Sequence, residues 1–189
     1  MKSAVHLNKA SAARRQLDAA IRMTFSGEDP LAVHTVVAAG VGIVRDLAEH
    51  RGNLRDRQTY ENALREIYRA KIGRDPTQEE VERDSPRLRK LLSSARKKPA
   101  NFLKHADRDP NDFLNEANLE TDHILLEACL LYKELGFDLT TEMHAFGRWH
   151  LAVYPHEEGD ALITADGPVH ELSRESQLSF GAWLLKQSI

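Results

Sequence analysis

Residues 29–52, DPLAVHTVVAAGVGIVRDLAEHRG, decide the fold class of this chain. Apolar or small residues recur there at every third or fourth position, which is the repeat of a helix with one buried face. Asp29-Pro30 supplies an N-cap and a first-turn proline, and Gly52 is a typical helix stop. The segment predicts a long helix whose apolar side holds Val33, Val36, Val37, Gly40, Val41, Val44, Leu47 and Ala48.

The same period recurs on both sides of this segment. Residues 10–25, 119–135 and 141–153 each place apolar side chains on one face, and Ser173 caps a last helix. A capping box at residues 77–80 opens another helix, which Ser85-Pro86 is expected to interrupt and Pro99 to end. The sequence therefore predicts an all-α fold: a single-domain helical bundle over residues 1–189, with about six to eight helices and an irregular acidic loop near residues 156–170.

Composition restricts the class of protein. The chain has 189 residues, 41% of them hydrophobic, and its single cysteine excludes an intramolecular disulfide. The longest uncharged apolar stretch, Val36–Val44, is short of the roughly 20 residues that cross a bilayer. The first residues lack the apolar core of a signal peptide. We expect a cytoplasmic protein that does not enter a membrane.

Charge is distributed unevenly along the chain. Residues 51–110 carry a balance of +6 and residues 111–189 one of −10, although the net charge is only −3. The basic density peaks in a run without an acidic residue, and such runs bind polyanions by neutralising phosphates. The alternative is that the acidic last third compensates the basic middle. The run consists of Arg87, Arg89, Lys90, Arg96, Lys97 and Lys98.

The densest polar cluster, residues 101–110, follows this run directly. His105 titrates near neutral pH and is the candidate general acid or base, one helical turn after Asn101. We expect Asp107 or Asp109 to orient the imidazole, and Lys104 and Arg108 to hold a phosphate. The alternative is a short polar connection between two helices, in which the same residues serve as caps.

Asn101-x-x-x-His105-Ala106-Asp107 resembles the signature of the HEPN superfamily, all-helical proteins that include RNA-cutting toxins and inactive or nucleotide-binding members. The resemblance implies that Asn101 and His105 belong to a site for RNA. This chain has Ala100 where active members carry the arginine that acts with the histidine on the phosphodiester. The chain also resembles uncharacterised bacterial proteins that share the run KHADRDP.

A second pattern suits a metal ion. His123 and Glu127 are four residues apart on a predicted helix, so that both can reach one ion, and His105 would complete a mixed nitrogen and oxygen set. Single histidines and glutamates at this spacing are also common on solvated faces. Phosphate-binding loops and zinc-protease motifs are absent from the sequence. No metal and no cofactor is favoured.

Three hypotheses remain. The first is a HEPN-like binding or regulatory protein, without efficient catalysis, that contacts RNA or another polyanion through the basic run and the His105 cluster. The second is a ribonuclease or metal-dependent hydrolase with His105 as acid or base. The third is a homodimeric interaction protein without ligand chemistry. The missing arginine favours the first, and helical faces that pair between copies make a homo-oligomer the expected state.

Overall fold

The structure, a computed structural model, describes residues 7–51, 64–65, 68–69, 72–103, 111, 113–116, 119–155 and 162–187, without the side chains of 88–98 and 100. The chain divides into two compact units, unit 1 (residues 1–48 and 115–189) and unit 2 (residues 49–114). Six α-helices are described: α1 (Lys9–Phe25), α2 (Pro30–His50), α3 (Gln78–Phe102), α4 (Thr121–Glu134), α5 (Thr141–Val153) and α6 (Arg174–Gln187).

The all-α prediction is confirmed. Within the described part of the chain, strand structure is limited to β1 (Ile163–Thr164) and β2 (Gly167–Pro168), which pair antiparallel. A short 3-10 helix, Val169–Glu171, follows them. These elements occupy the second half of the predicted acidic loop, and residues 156–161 lie outside the described residues.

The core of unit 1 is built around an aromatic cluster of Phe25, Phe146 and Trp149. The Trp149 ring meets Phe25 edge-on at 5.6 Å between ring centroids and lies 5.3 Å from Phe146. Its indole Nε1 donates a 2.7 Å hydrogen bond to the backbone oxygen of Gln177. The indole polar group is therefore satisfied inside the core, and the bond ties α5 to α6.

Two glycines allow helices to approach closely in unit 1. A Cβ added at Gly40 of α2 would lie 3.0 Å from Leu17 Cδ2 of α1, and one added at Gly181 of α6 would overlap the Phe25 ring. Gly40 therefore marks a close approach of α2 to the Leu17 side chain of α1.

Helix α3 belongs to unit 2 and differs from the sequence prediction. It runs without a break from Gln78 to Phe102, with Pro86 and Pro99 inside it, so the expected interruption at Ser85-Pro86 and the expected end at Pro99 are wrong. The fixed φ of proline is compatible with a helix, and its costs are the lost backbone donor and the crowding of its ring against the carbonyl of residue i−4. In a 25-residue helix whose Pro99 side is buried, the remaining hydrogen bonds and packing outweigh these costs.

Helix α2 is the helix, among the described residues, that is long and apolar enough to cross a membrane by length and composition. A core helix passes the same test. In this structure five apolar side chains of α2 belong to the core of unit 1: Val33, Val37, Val41, Val44 and Ala48.

We predict that Gly181→Ala destabilises the protein, because its methyl group must displace the Phe25 ring from the core. Overpacking of this kind costs about 1–3 kcal/mol of unfolding free energy. Gly147→Ala on α5 is the matched control, since nothing lies within 4 Å of its added Cβ. It should stabilise the helix by about 0.5–1 kcal/mol. Urea unfolding of both variants measures the difference, and equal midpoints would contradict this packing.

Candidate functional site

The start of α3 is fixed by a network of local hydrogen bonds. Thr77 accepts from the backbone of Glu80, whose carboxylate accepts from the backbone of Thr77, which completes the capping box. Arg74 forms a bidentate pair with the same carboxylate, both distances being 2.7 Å. The Arg74 hydrogen bonds, with the cap, lower the pKa of Glu80 to about 2. The sequence-predicted cap is therefore present and defines where the helix begins.

Two buried residues of α3 define a line along one side of the helix. Val81 and Pro99 are both buried and are 18 residues apart, which is about five turns and places them on one line. Positions 88, 92 and 95, occupied by two leucines and an alanine, lie within about 40° of that line. Arg87 is on another side, and 77% of its side-chain surface is exposed.

The six basic positions of the run all lie about 60° or more from the buried line. We call them the basic face of α3: Arg87, Arg89, Lys90, Arg96, Lys97 and Lys98. Of these side chains the structure describes that of Arg87, whose guanidinium lies 3.6 Å from the Asp84 carboxylate. The six positions of the basic face therefore lie on the sides of the helix away from Val81 and Pro99.

The His105 cluster lies mostly beyond the part of the chain that the structure describes. Asn101 is exposed in the last turn of α3, and Leu103 forms its C-cap. Lys104, His105, Asp107, Arg108 and Asp109 lie outside the described residues, so the predicted roles of these five remain predictions.

The two residues of the predicted metal pair contact different groups. His123 Nδ1 lies 3.0 Å from His150 Nε2, whereas the Glu127 carboxylate forms a 3.1 Å ion pair with Arg45 of α2. Among the described residues, no three His, Cys, Asp or Glu side chains are grouped so that they could hold a metal ion. A set that includes His105 stays a prediction.

Unit 1 contains a cleft of about 820 Å³ at the start of α4, which we call the α4 cleft. This volume is in the range of small-molecule sites. Its surface combines apolar walls with carboxylates, histidines and one guanidinium. The lining residues are Pro30, Glu116, Leu119, Glu120, Thr121, Asp122, His123, Val153, Tyr154, His170, Arg174 and Gln177.

A network of charged and polar side chains forms one wall of the α4 cleft. The Asp122 carboxylate accepts from the Tyr154 hydroxyl at 2.9 Å and from the Arg174 guanidinium at 2.8 Å. The guanidinium also lies 5.0 Å from the centroid of the buried Trp149 ring. Burial, with the nearby Asp122, raises the pKa of Tyr154 to about 12, so that its phenol stays protonated and donates.

A hydroxyl and an imidazole form a second polar pair at the first turn of α4. Thr121 Oγ1 lies 3.0 Å from Nδ1 of His34, a residue that is only 2% exposed. Burial lowers the pKa of His34 below its usual value of about 6.5, so the ring is neutral at pH 7. Thr121 lines the α4 cleft, and the pair therefore joins the core helix α2 to the cleft surface.

The sequence interpretation missed Thr121, Asp122, Tyr154 and Arg174. One signal was available: His34 lies three residues before Val37 and seven before Val41, on the apolar face of α2. A polar residue on a buried apolar face needs a hydrogen-bond partner. That partner, Thr121, is 87 positions away, and no sequence pattern near His34 indicates it.

No protein-family model matches the chain, and neither a curated protein nor a solved structure is significantly similar to it. The resemblance to the HEPN superfamily therefore remains a prediction from residues 100–107.

We predict that His34 makes the stability of the protein depend on pH. Because its pKa is lower in the folded chain than in the unfolded chain, the unfolded state binds more protons below about pH 6.5. The unfolding free energy should therefore fall as pH drops from 7.5 to 5.5. His34→Gln keeps a polar group at this position without a titration and should show a smaller fall. Equal losses in urea unfolding would contradict a neutral, buried His34.

Proposed function

We propose that this protein binds RNA or another polyanion through the basic face of α3, as a binding or regulatory protein. One observation carries the proposal: six basic positions and no acidic one occur over residues 87–98, on a continuous helix whose buried line excludes all six. Twelve residues of helix span about 16–18 Å, enough to pass several phosphates of a nucleic-acid strand.

The expected contact is with the phosphate backbone. Residues 87–98 contain no aromatic side chain that a base could stack on, and base stacking is the usual sequence-tolerant contact to single strands. Lysine and arginine pairing with phosphates releases counterions, which makes affinity depend on salt. We therefore expect binding that is steeply sensitive to salt and nearly indifferent to sequence.

Cleavage is the second candidate activity, and it would depend on His105 with Asn101 and Asp107. Ala100 replaces the arginine that active members of the resembled superfamily use, and we therefore place binding before catalysis. A cytoplasmic location and a homo-oligomeric state are part of the proposal and rest on the sequence.

We predict that the protein binds a labelled mixed-sequence RNA of about 20 nucleotides at 50 mM salt and releases most of it by 300 mM. Replacing Arg96, Lys97 and Lys98 together by glutamine should weaken binding and reduce the slope of log affinity against log salt by about 2, since each lost phosphate contact removes about 0.7. Fluorescence anisotropy over a salt series measures both quantities.

The matched control removes three charges from an exposed part of unit 1, as Lys9, Arg14 and Arg15 to glutamine. It should keep the wild-type salt slope. An equal loss in both variants would show that net charge, rather than the basic face of α3, governs binding. Gel analysis of the same samples detects cleavage, and cleavage that disappears in His105→Ala would replace the binding proposal with the ribonuclease.

A further inference from the structure

The strongest chemical arrangement outside the basic face of α3 is the pair formed by Thr121 and His34. The hydroxyl oxygen and the imidazole Nδ1 are 3.0 Å apart, within the 2.6–3.2 Å range of a nucleophile and its general base. The imidazole is buried on α2, and the hydroxyl belongs to a residue that lines the α4 cleft. A substrate bound in the cleft would therefore lie next to Thr121.

The environment keeps the imidazole able to accept a proton. Desolvation of the buried ring lowers the pKa of His34, so the neutral form predominates at pH 7 and above. Burial also restricts the ring to one orientation, which is the task that a third residue performs in a catalytic triad. Thr35, the next residue on α2, differs, because its hydroxyl donates to the backbone oxygen of Leu31 in its own helix.

Thr121 also occupies the first position of a helix, where backbone donors are available. Helix α4 makes its first backbone bond from Ile124 to the Glu120 oxygen, and Glu120 provides no side-chain cap. The N–H groups of residues 121–123 therefore have no acceptor within the helix. Glu120 enters the helix in the left-handed conformation, with φ at 47°. Donors of this kind next to a nucleophile stabilise the oxyanion of acyl transfer.

We propose that the α4 cleft is an esterase site in which Thr121 is the nucleophile and His34 the general base. Thr121 Oγ1 attacks the ester carbonyl carbon while its proton moves to His34 Nδ1. The bond to the leaving alcohol then breaks, and His34 returns the proton to the departing oxygen. Water attacks the acyl-threonine with His34 again taking a proton, which it returns to Thr121 as the acid leaves. The net reaction converts ester and water into carboxylic acid and alcohol.

The cleft also indicates which esters fit. Leu119, Val153 and Pro30 provide apolar wall, and the exposed carboxylates of Glu116 and Glu120 stand at the start of α4. The Arg174 guanidinium is paired with Asp122, so it does not neutralise the negative charges of Glu116 and Glu120. Small neutral or cationic esters are therefore favoured over anionic ones.

The test incubates the full chain with 4-nitrophenyl acetate and follows both nitrophenol release and the acetylated protein by mass spectrometry after acid quenching. We expect one acetyl group on the peptide that contains Thr121. Thr121→Val should lose at least 100-fold in turnover, His34→Gln should lose a similar factor, and Thr121→Ser should retain activity. Thr35→Val is the matched control and should behave as wild type. As pH increases, turnover should rise when the His34 imidazolium loses its proton, at a pH below 6.5.

Acetylation confined to lysines or the N-terminal amine would overturn the proposal, as would Thr121→Val turning over at the wild-type rate. The position of the adduct in wild-type protein, together with the activity of Thr121→Ser, decides the matter even if Thr121→Val does not fold. Absence of both turnover and adduct with 4-nitrophenyl acetate also overturns it. These readouts are nitrophenol release and the position of the adduct, so the esterase proposal and the RNA-binding proposal can fail independently.

Discussion

The packing and hydrogen bonding of the buried Trp149 indole hold the helices of unit 1 together. Its Nε1 donates a hydrogen bond to the backbone oxygen of Gln177 on α6, and its ring packs edge-on against Phe25 of α1. The Arg174 guanidinium lies over the indole ring. Arg174 in turn holds Asp122 in the first turn of α4. The wall of the α4 cleft is therefore linked to the buried core by direct contacts through Arg174.

The two candidate sites use different physical principles. Binding at the basic face of α3 in unit 2 would depend on the density of positive charge along one helix, and no single residue needs a defined position. Salt screens the attraction between these charges and a polyanion. The α4 cleft in unit 1 depends on distances: a hydroxyl 3.0 Å from an imidazole, and a tyrosine and an arginine on one carboxylate. The first suits a long, repetitive polyanion and the second a small molecule.

The periodicity of apolar residues was enough to predict the helices and much of the core. Val37, Val41 and Val44 are buried on α2 as the repeat in residues 29–52 predicts, and the Cys129 thiol is buried in the core on α4. Burial raises the pKa of that thiol to about 12, which makes it inert. These outcomes depend on local spacing, which a sequence displays directly.

The prolines of α3 and the polar pairs could not be predicted in the same way. A proline signal is local, but whether a helix continues through Pro86 depends on packing along the whole of Gln78–Phe102. His34 with Thr121 and His123 with His150 are tertiary pairs, joined across 87 and 27 positions. The spacing of these residues along the chain does not indicate their partners. The pairing of Glu127 with Arg45, rather than with a metal shared with His123, could not be predicted from the spacing either.

The location of bound RNA on the chain shows directly whether polyanions bind to α3. A 4-thiouridine RNA is cross-linked to the protein by light at low salt, and the modified peptides are identified by mass spectrometry. Binding through the basic face of α3 predicts cross-links within residues 83–104, lost when excess unlabelled polyanion is added. Cross-links confined to residues 9–48 or 119–187, or none at a salt concentration where RNA is bound, would contradict the assignment of polyanion binding to α3.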